Sequence, residues 1–169
     1  HTRFKCDWSS DVCSSILNGV CMHHDMGPLG AAVNRRAIER QLEIMKAMGC
    51  NAIRTSHNPP APELLDLCDS MGFMVMAEVF DEWKQSKTEF GYGRFFDEWA
   101  EKDILSLIHR DRNHPSIIIW SVGNEMEEQK SKDAEQTAGH LVDIFHREDP
   151  TRPVTSGCNS PDAAIKNRF

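Results

Sequence analysis

Five short apolar runs alternate with stretches of helical periodicity along this 169-residue chain, and that alternation restricts its fold more than any other feature. The runs are residues 16–22, 51–55, 73–78, 116–122 and a fifth beginning at 152–155. Between them the apolar side chains recur every three or four positions, as on one face of a helix. Ile38, Leu42 and Met45 mark a helix over 34–48. Leu64, Leu65, Leu67, Cys68 and Met71 mark one over 62–70. Ile104, Leu107 and Ile108 mark a third over 96–110, and Ala134, Ala138, Leu141 and Phe145 a fourth over 133–147. Gly49 and Gly72 stand where helix C-caps belong. Strand-helix alternation of this kind demands parallel strands joined by right-handed crossovers. The predicted class is α/β. Its architecture is a partial (β/α)8 TIM barrel, about the first half, strands 1–5. No Gly-x-Gly-x-x-Gly follows the first run, which argues against a dinucleotide-binding sheet. A complete eight-fold barrel takes about 250 residues. Residues 16–169 therefore read as the N-terminal half of a barrel domain, truncated at the C-terminal side.

Residues 1–15 have neither period. The stretch from Cys6 to Ser15 reads as a non-native scar or a polar linker and is set apart from the fold. The formal net charge is −7, which argues against nucleic acid or an anionic membrane as the main partner. No apolar run is long enough to span a membrane. The six cysteines, Cys6, Cys13, Cys21, Cys50, Cys68 and Cys158, lack metal-finger spacing. Cys50 and Cys68 sit among apolar residues and read as buried thiols. Compartment does not follow from any of this.

Polar groups gather where the predicted strands end. His23, His24 and Asp25 follow the first, and Arg54 and His57 close the second. Glu78, Asp81, Glu82 and Trp83 follow the third; Asn124 and Glu125 follow the fourth. In a parallel barrel these ends converge on one mouth, where active sites sit. Glu125 follows an apolar strand and a glycine. A carboxyl group there is expected to be partly desolvated, which suits a general acid. The alternative is a carboxylate at the start of the next helix, since Glu127 and Glu128 follow closely. The cluster from His109 to His114 lies before the fourth strand, on the opposite rim, and reads as a helix end and turn.

Three segments carry a resemblance. Residues 18–30, residues 51–59 (Asn-Ala-Ile-Arg-Thr-Ser-His-Asn-Pro) and residues 110–125 (Arg-Asp-Arg-Asn-His-Pro-Ser-Ile-Ile-Ile-Trp-Ser-Val-Gly-Asn-Glu) resemble the barrel of β-galactosidase-type glycoside hydrolases, family 2. The resemblance covers about residues 16–169. It implies a retaining exo-glycosidase acting on terminal β-D-galactosides, with Glu125 as catalytic acid/base. Asn124 would bond the sugar 2-hydroxyl, and Arg54 would hold the nucleophilic carboxylate ionised. His23 and His57 would donate to sugar hydroxyls or to developing charge. Trp83 is a platform for a sugar face or a core residue. The family's nucleophile lies on a later strand and has no match here. Some relatives bind magnesium with a histidine two residues past a glutamate. Here Lys84 stands two residues after Glu82, so no metal and no cofactor are expected. The implied partner is a carbohydrate substrate, and a homo-oligomer of the complete protein stays open.

Related β-glycosidase specificities, β-glucuronidase or β-mannosidase, use the same barrel. A non-catalytic carbohydrate-binding fragment and a metal-dependent hydrolase built on His23, His24, His57 and Glu125 are the other readings. A half barrel leaves two strand edges unpaired, so the isolated chain is expected to self-associate.

Overall fold

The computed structural model describes residues 17–169; the expected scar or linker at 1–15 and the start of the first strand, Ile16, lie outside the described residues. The order is β1 (Gly19–His23), α1 (Arg35–Ala47), β2 (Ala52–Ser56), α2 (Pro62–Met71), β3 (Met74–Glu78), α3 (Gly93–Asp111), β4 (Ile117–Asn124), α4 (Ala134–Glu148), β5 (Val154–Gly157) and α5 (Pro161–Lys166). Single turns of 3-10 helix occupy Gly27–Leu29 and Glu127–Lys130. The five strands form one sheet in chain order, every neighbouring pair parallel. This is the strand-helix succession that the sequence predicts.

Local chemistry places the helix ends. The Asn34 side chain accepts the Ala37 amide at 3.1 Å and so caps α1. Pro62 opens α2, where its missing N–H costs nothing, and Gly72 closes it at φ 75°. Two features differ from expectation. Helix α3 begins at Gly93 rather than near Phe96, because the amide of Gly93 is held by Glu82 Oε1 at 2.9 Å. Helix α5 was not anticipated; it spans six residues with only Ala164 buried, too short to show a period.

Burial alternates along β2 and β3. Ile53, Val75, Ala77 and Ile117 pack with Ile38 and Leu42 of α1, Leu65 and Cys68 of α2, Ile104 and Ile108 of α3, and Leu141 and Phe145 of α4. Each fully buried aliphatic side chain contributes about 1.5–3 kcal/mol, so this layer carries most of the stability. Met74 and Met76, on the other face, are half-buried. Among the described residues β1 and β5 each have one neighbouring strand. The sheet is therefore an open arc, and the strand ends are reachable from its side.

The rim beneath β4 is tied down by polar contacts. His114 Nδ1 lies 2.6 Å from Asp69 Oδ2, and Asp69 Oδ1 accepts the Ser116 amide at 2.9 Å. Arg110 bonds both oxygens of the buried Asp111 and donates to the Pro60 carbonyl at 2.7 Å. The His109–His114 cluster is the helix end and turn expected of it. Among the described residues, no helix is long and apolar enough to cross a membrane.

Candidate active site

Strand register decides which polar residues meet. Arg54 pairs with Met76, Glu78 with Ser121, and Asn124 with Gly157, so the C-terminal ends of β2 to β5 form one rim. At its centre is Glu78, with no exposed surface. Its Oε2 accepts Arg54 Nε at 3.1 Å, Arg54 Nη2 at 2.6 Å and Ser121 Oγ at 2.6 Å; Oε1 lies 2.6 Å from His57 Nδ1. A carboxylate this deeply buried survives because four donors replace its water. Burial works against the Arg54 charge. The bonds to Glu78 outweigh that effect and hold the guanidinium above its ordinary value.

The network runs on to β4. Arg54 Nη2 donates to Asn124 Oδ1 at 3.0 Å, and Asn124 Nδ2 donates to Asp81 Oδ1 at 3.1 Å. Lys87 Nζ bonds Asp81 Oδ1 at 2.7 Å and the Asn124 carbonyl at 2.7 Å. Burial pushes the Asp81 carboxyl up, but Lys87 and Asn124 outweigh it, so Asp81 is held below its ordinary value. Glu125 comes next, at φ 50°, in the left-handed region a side chain seldom adopts. Its amide donates to the Gly157 carbonyl at 2.7 Å. A side chain at Gly157 would lie 2.8 Å from Arg54 Nη2 and 3.1 Å from Asn124 Oδ1, so glycine lets β5 close against the rim without displacing them.

His23 and His57 meet edge to face, ring centroids 5.1 Å apart. With His24, Ala31, Ser56, Asn58 and Asp81 they line an open cavity of about 410 Å³, large enough for one sugar ring. Because Glu78 is an acceptor, His57 Nδ1 carries the hydrogen between them, which leaves Nε2 for another partner. Among the described residues, no group of three or more His, Cys, Asp or Glu side chains is arranged to hold a metal ion.

Residues 14–168 match the model of glycosyl hydrolases family 2, TIM barrel domain. The chain belongs to glycosyl hydrolase family 2. It is 52% identical over 178 residues to a β-galactosidase of Bacteroides ovatus, covering 87% of this chain and 21% of that protein. It is 34% identical over 145 residues to a β-glucuronidase of Bacteroides fragilis, covering 85% of this chain and 21% of that one. A crystal structure of a β-glycosidase from Bacteroides vulgatus superposes with TM-score 0.80 at 50% identity, over 86% of this chain and 18% of that chain. The chain thus spans about a fifth of the length of these family 2 relatives.

The family 2 strands bring together most of the residues singled out from sequence. Arg54, His57 and Asn124 share one hydrogen-bonded network, and His23 touches it through His57. Two expectations need correction. Trp83 offers no open ring face: it is fully buried, its Nε1 donates to the Val122 carbonyl at 2.8 Å, and Phe96 and Phe169 pack on it. Gly123 allows this, since a side chain there would lie 2.9 Å from that Nε1. Glu125 is exposed rather than desolvated, because it follows the last residue of β4 on an open rim. Ser121 and Lys87 are site residues that sequence reasoning passed over, and Glu78 is singled out there only by its place at a strand end. Glu78 carried a signal, an acidic residue ending an apolar strand; Lys87, inside a polar loop, carried none.

Proposed function

We propose that this family 2 segment supplies the acid/base side of a retaining exo-glycosidase site for terminal β-D-galactosides. Glu125 protonates the glycosidic oxygen as the aglycone departs, then takes a proton from the water that attacks in the second step. Asn124 lies beside Glu125. One Nδ2 hydrogen is engaged by Asp81, leaving the second for the sugar 2-hydroxyl. His57 and His23 line the same cavity, placed to bond sugar hydroxyls or the developing charge. Arg54, fixed by Glu78, orients the nucleophilic carboxylate. Retention requires that second carboxyl about 5–5.5 Å from the first, and it is assigned to no residue of this chain.

One observation supports the choice of galactoside: over 87% of its length this chain is 52% identical to a protein named β-galactosidase. β-Glucuronidase is the second reading, favoured by the 34% identical relative of that name.

The test is a panel of nitrophenyl β-glycosides on the complete enzyme that carries this segment. The galactoside should turn over fastest, and Glu125→Gln should lower its kcat by about 10²–10⁴-fold. Near-normal turnover in that variant removes Glu125 from the chemistry. A preference for the glucuronide moves the sugar assignment to the second reading.

A further inference from the structure

The loop between β3 and α3 does more than connect two elements. Its fold is set by Glu82, 4% exposed, whose Oε2 accepts the Lys87 amide at 2.6 Å and whose Oε1 accepts the Gly93 amide at 2.9 Å. Gly91 passes so close that a side chain there would lie 2.1 Å from the same carboxylate. Glu128, in the segment just after Glu125, adds a third tie by accepting the Gln85 amide at 2.8 Å. The loop backbone is thus anchored on both sides of Lys87, with a buried carboxylate at its centre.

From that anchored position the Lys87 side chain reaches across to β4. Its ammonium has two partners, Asp81 Oδ1 and the carbonyl of Asn124, both at 2.7 Å. That carbonyl belongs to the peptide joining Asn124 to Glu125. The same Asp81 oxygen also accepts the Asn124 side chain. Lys87 and Asp81 together therefore hold the backbone and the side chain of Asn124, immediately before a residue at φ 50°. On the far side the Glu125 amide is held by Gly157. A non-glycine residue in the left-handed region costs about 1–3 kcal/mol and persists only where its surroundings fix it. The peptide carbonyl before Glu125 has Lys87 as its fixing contact.

We propose that Lys87 is a positioning residue for the acid/base carboxyl, locking the Asn124–Glu125 peptide so that Glu125 meets the glycosidic oxygen. The proposal rests on the reading of Glu125 given above. Without the ammonium the carbonyl is free to turn, the Glu125 conformation relaxes, and proton delivery is misdirected while sugar binding at His23 and His57 persists.

Leaving-group dependence separates this role from a merely structural one. Proton donation matters for a poor leaving group and little for one that departs unaided. In the complete enzyme, Lys87→Met should slow hydrolysis of phenyl β-galactoside by roughly 10–100-fold, a share of the ~10²–10⁴ that an acid/base residue supplies. The 2,4-dinitrophenyl β-galactoside should keep its kcat/KM, which reports glycosyl transfer to the enzyme. Lys87→Gln, which keeps a polar side chain but no charge, should show the same split and stands in if Lys87→Met fails to fold. Equal losses on both substrates, or no loss on either, overturn the proposal. Glu125→Gln is measured alongside. If it shows the split and the lysine variants do not, only the positioning role falls; if it shows none, the acid/base assignment falls too.

Discussion

Arg54 Nη2 lies 2.6 Å from Glu78 Oε2, joining an arginine one-fifth exposed to a carboxylate with no exposed surface. Two consecutive strands are thereby locked at their C-terminal ends, and the arginine is turned toward Asn124 on the next. Replacing Glu78 by glutamine keeps the volume but leaves Arg54, Ser121 and His57 without a charged acceptor. Removal of one partner from a buried pair costs about 3 kcal/mol or more. Glu78→Gln should lower unfolding stability by that amount in urea titrations. A loss below about 0.5 kcal/mol, the range of an ordinary surface change, contradicts this account of the rim.

Trp83 should behave as a core residue. Trp83→Phe removes the Nε1 bond to Val122 and part of the ring volume packed on Phe96. The expected loss is about 1–3 kcal/mol of stability, with KM for aryl galactosides little changed. A large rise in KM at unaltered stability restores the sugar platform.

Acid sensitivity has one clear source at Asp149. Burial pushes this carboxyl up, but bonds from Thr151, Arg152 and Trp120 prevail and hold it at about 2, against an ordinary 3.8. A depressed carboxyl stabilises the fold above its unfolded value, and that contribution is lost as pH falls through the folded one. The Asp149 contribution is therefore complete above 3.8 and drains away toward about 2. Urea midpoints measured across this window should fall more steeply for the parent protein than for Asp149→Asn. Parallel curves remove Asp149 as the cause.

Thiol chemistry should divide by burial. Cys21 and Cys158 are exposed, whereas Cys68 is buried, and its thiol is pushed up to about 12 by burial first and the charge of Asp69 second. Thiolate is the reactive form. Maleimide treatment of native protein, followed by peptide mass mapping, should label Cys21 and Cys158 and spare Cys68 until denaturant is added. Rapid native labelling of Cys68 means that the α2 face opens far more readily than its packing implies.

Much of the architecture was legible before any coordinates. Ile38 and Leu42, or Ile104 and Ile108, carry a helical period within their own few residues, and the runs ending at Glu78 and Val122 are apolar enough to be strands. Parallel pairing then puts Arg54, His57, Asn124 and Glu125 at one end of the sheet, since every strand points the same way. Boundaries were less legible where a distant group sets them, as Glu82 does for the start of α3.

What the sequence determined by itself is the succession of elements and the end of the sheet on which the polar residues gather, because both follow from local periodicity and chain direction. Only the tertiary structure decided their partners. Arg54 meets a carboxylate 24 positions away, and Lys87 reaches a carbonyl 37 positions away. It also enclosed Trp83 and left Glu125 in solvent. Hydrogen bonds and burial depend on distances in space, and those exist only once β2, β3, β4 and the loop after β3 have packed.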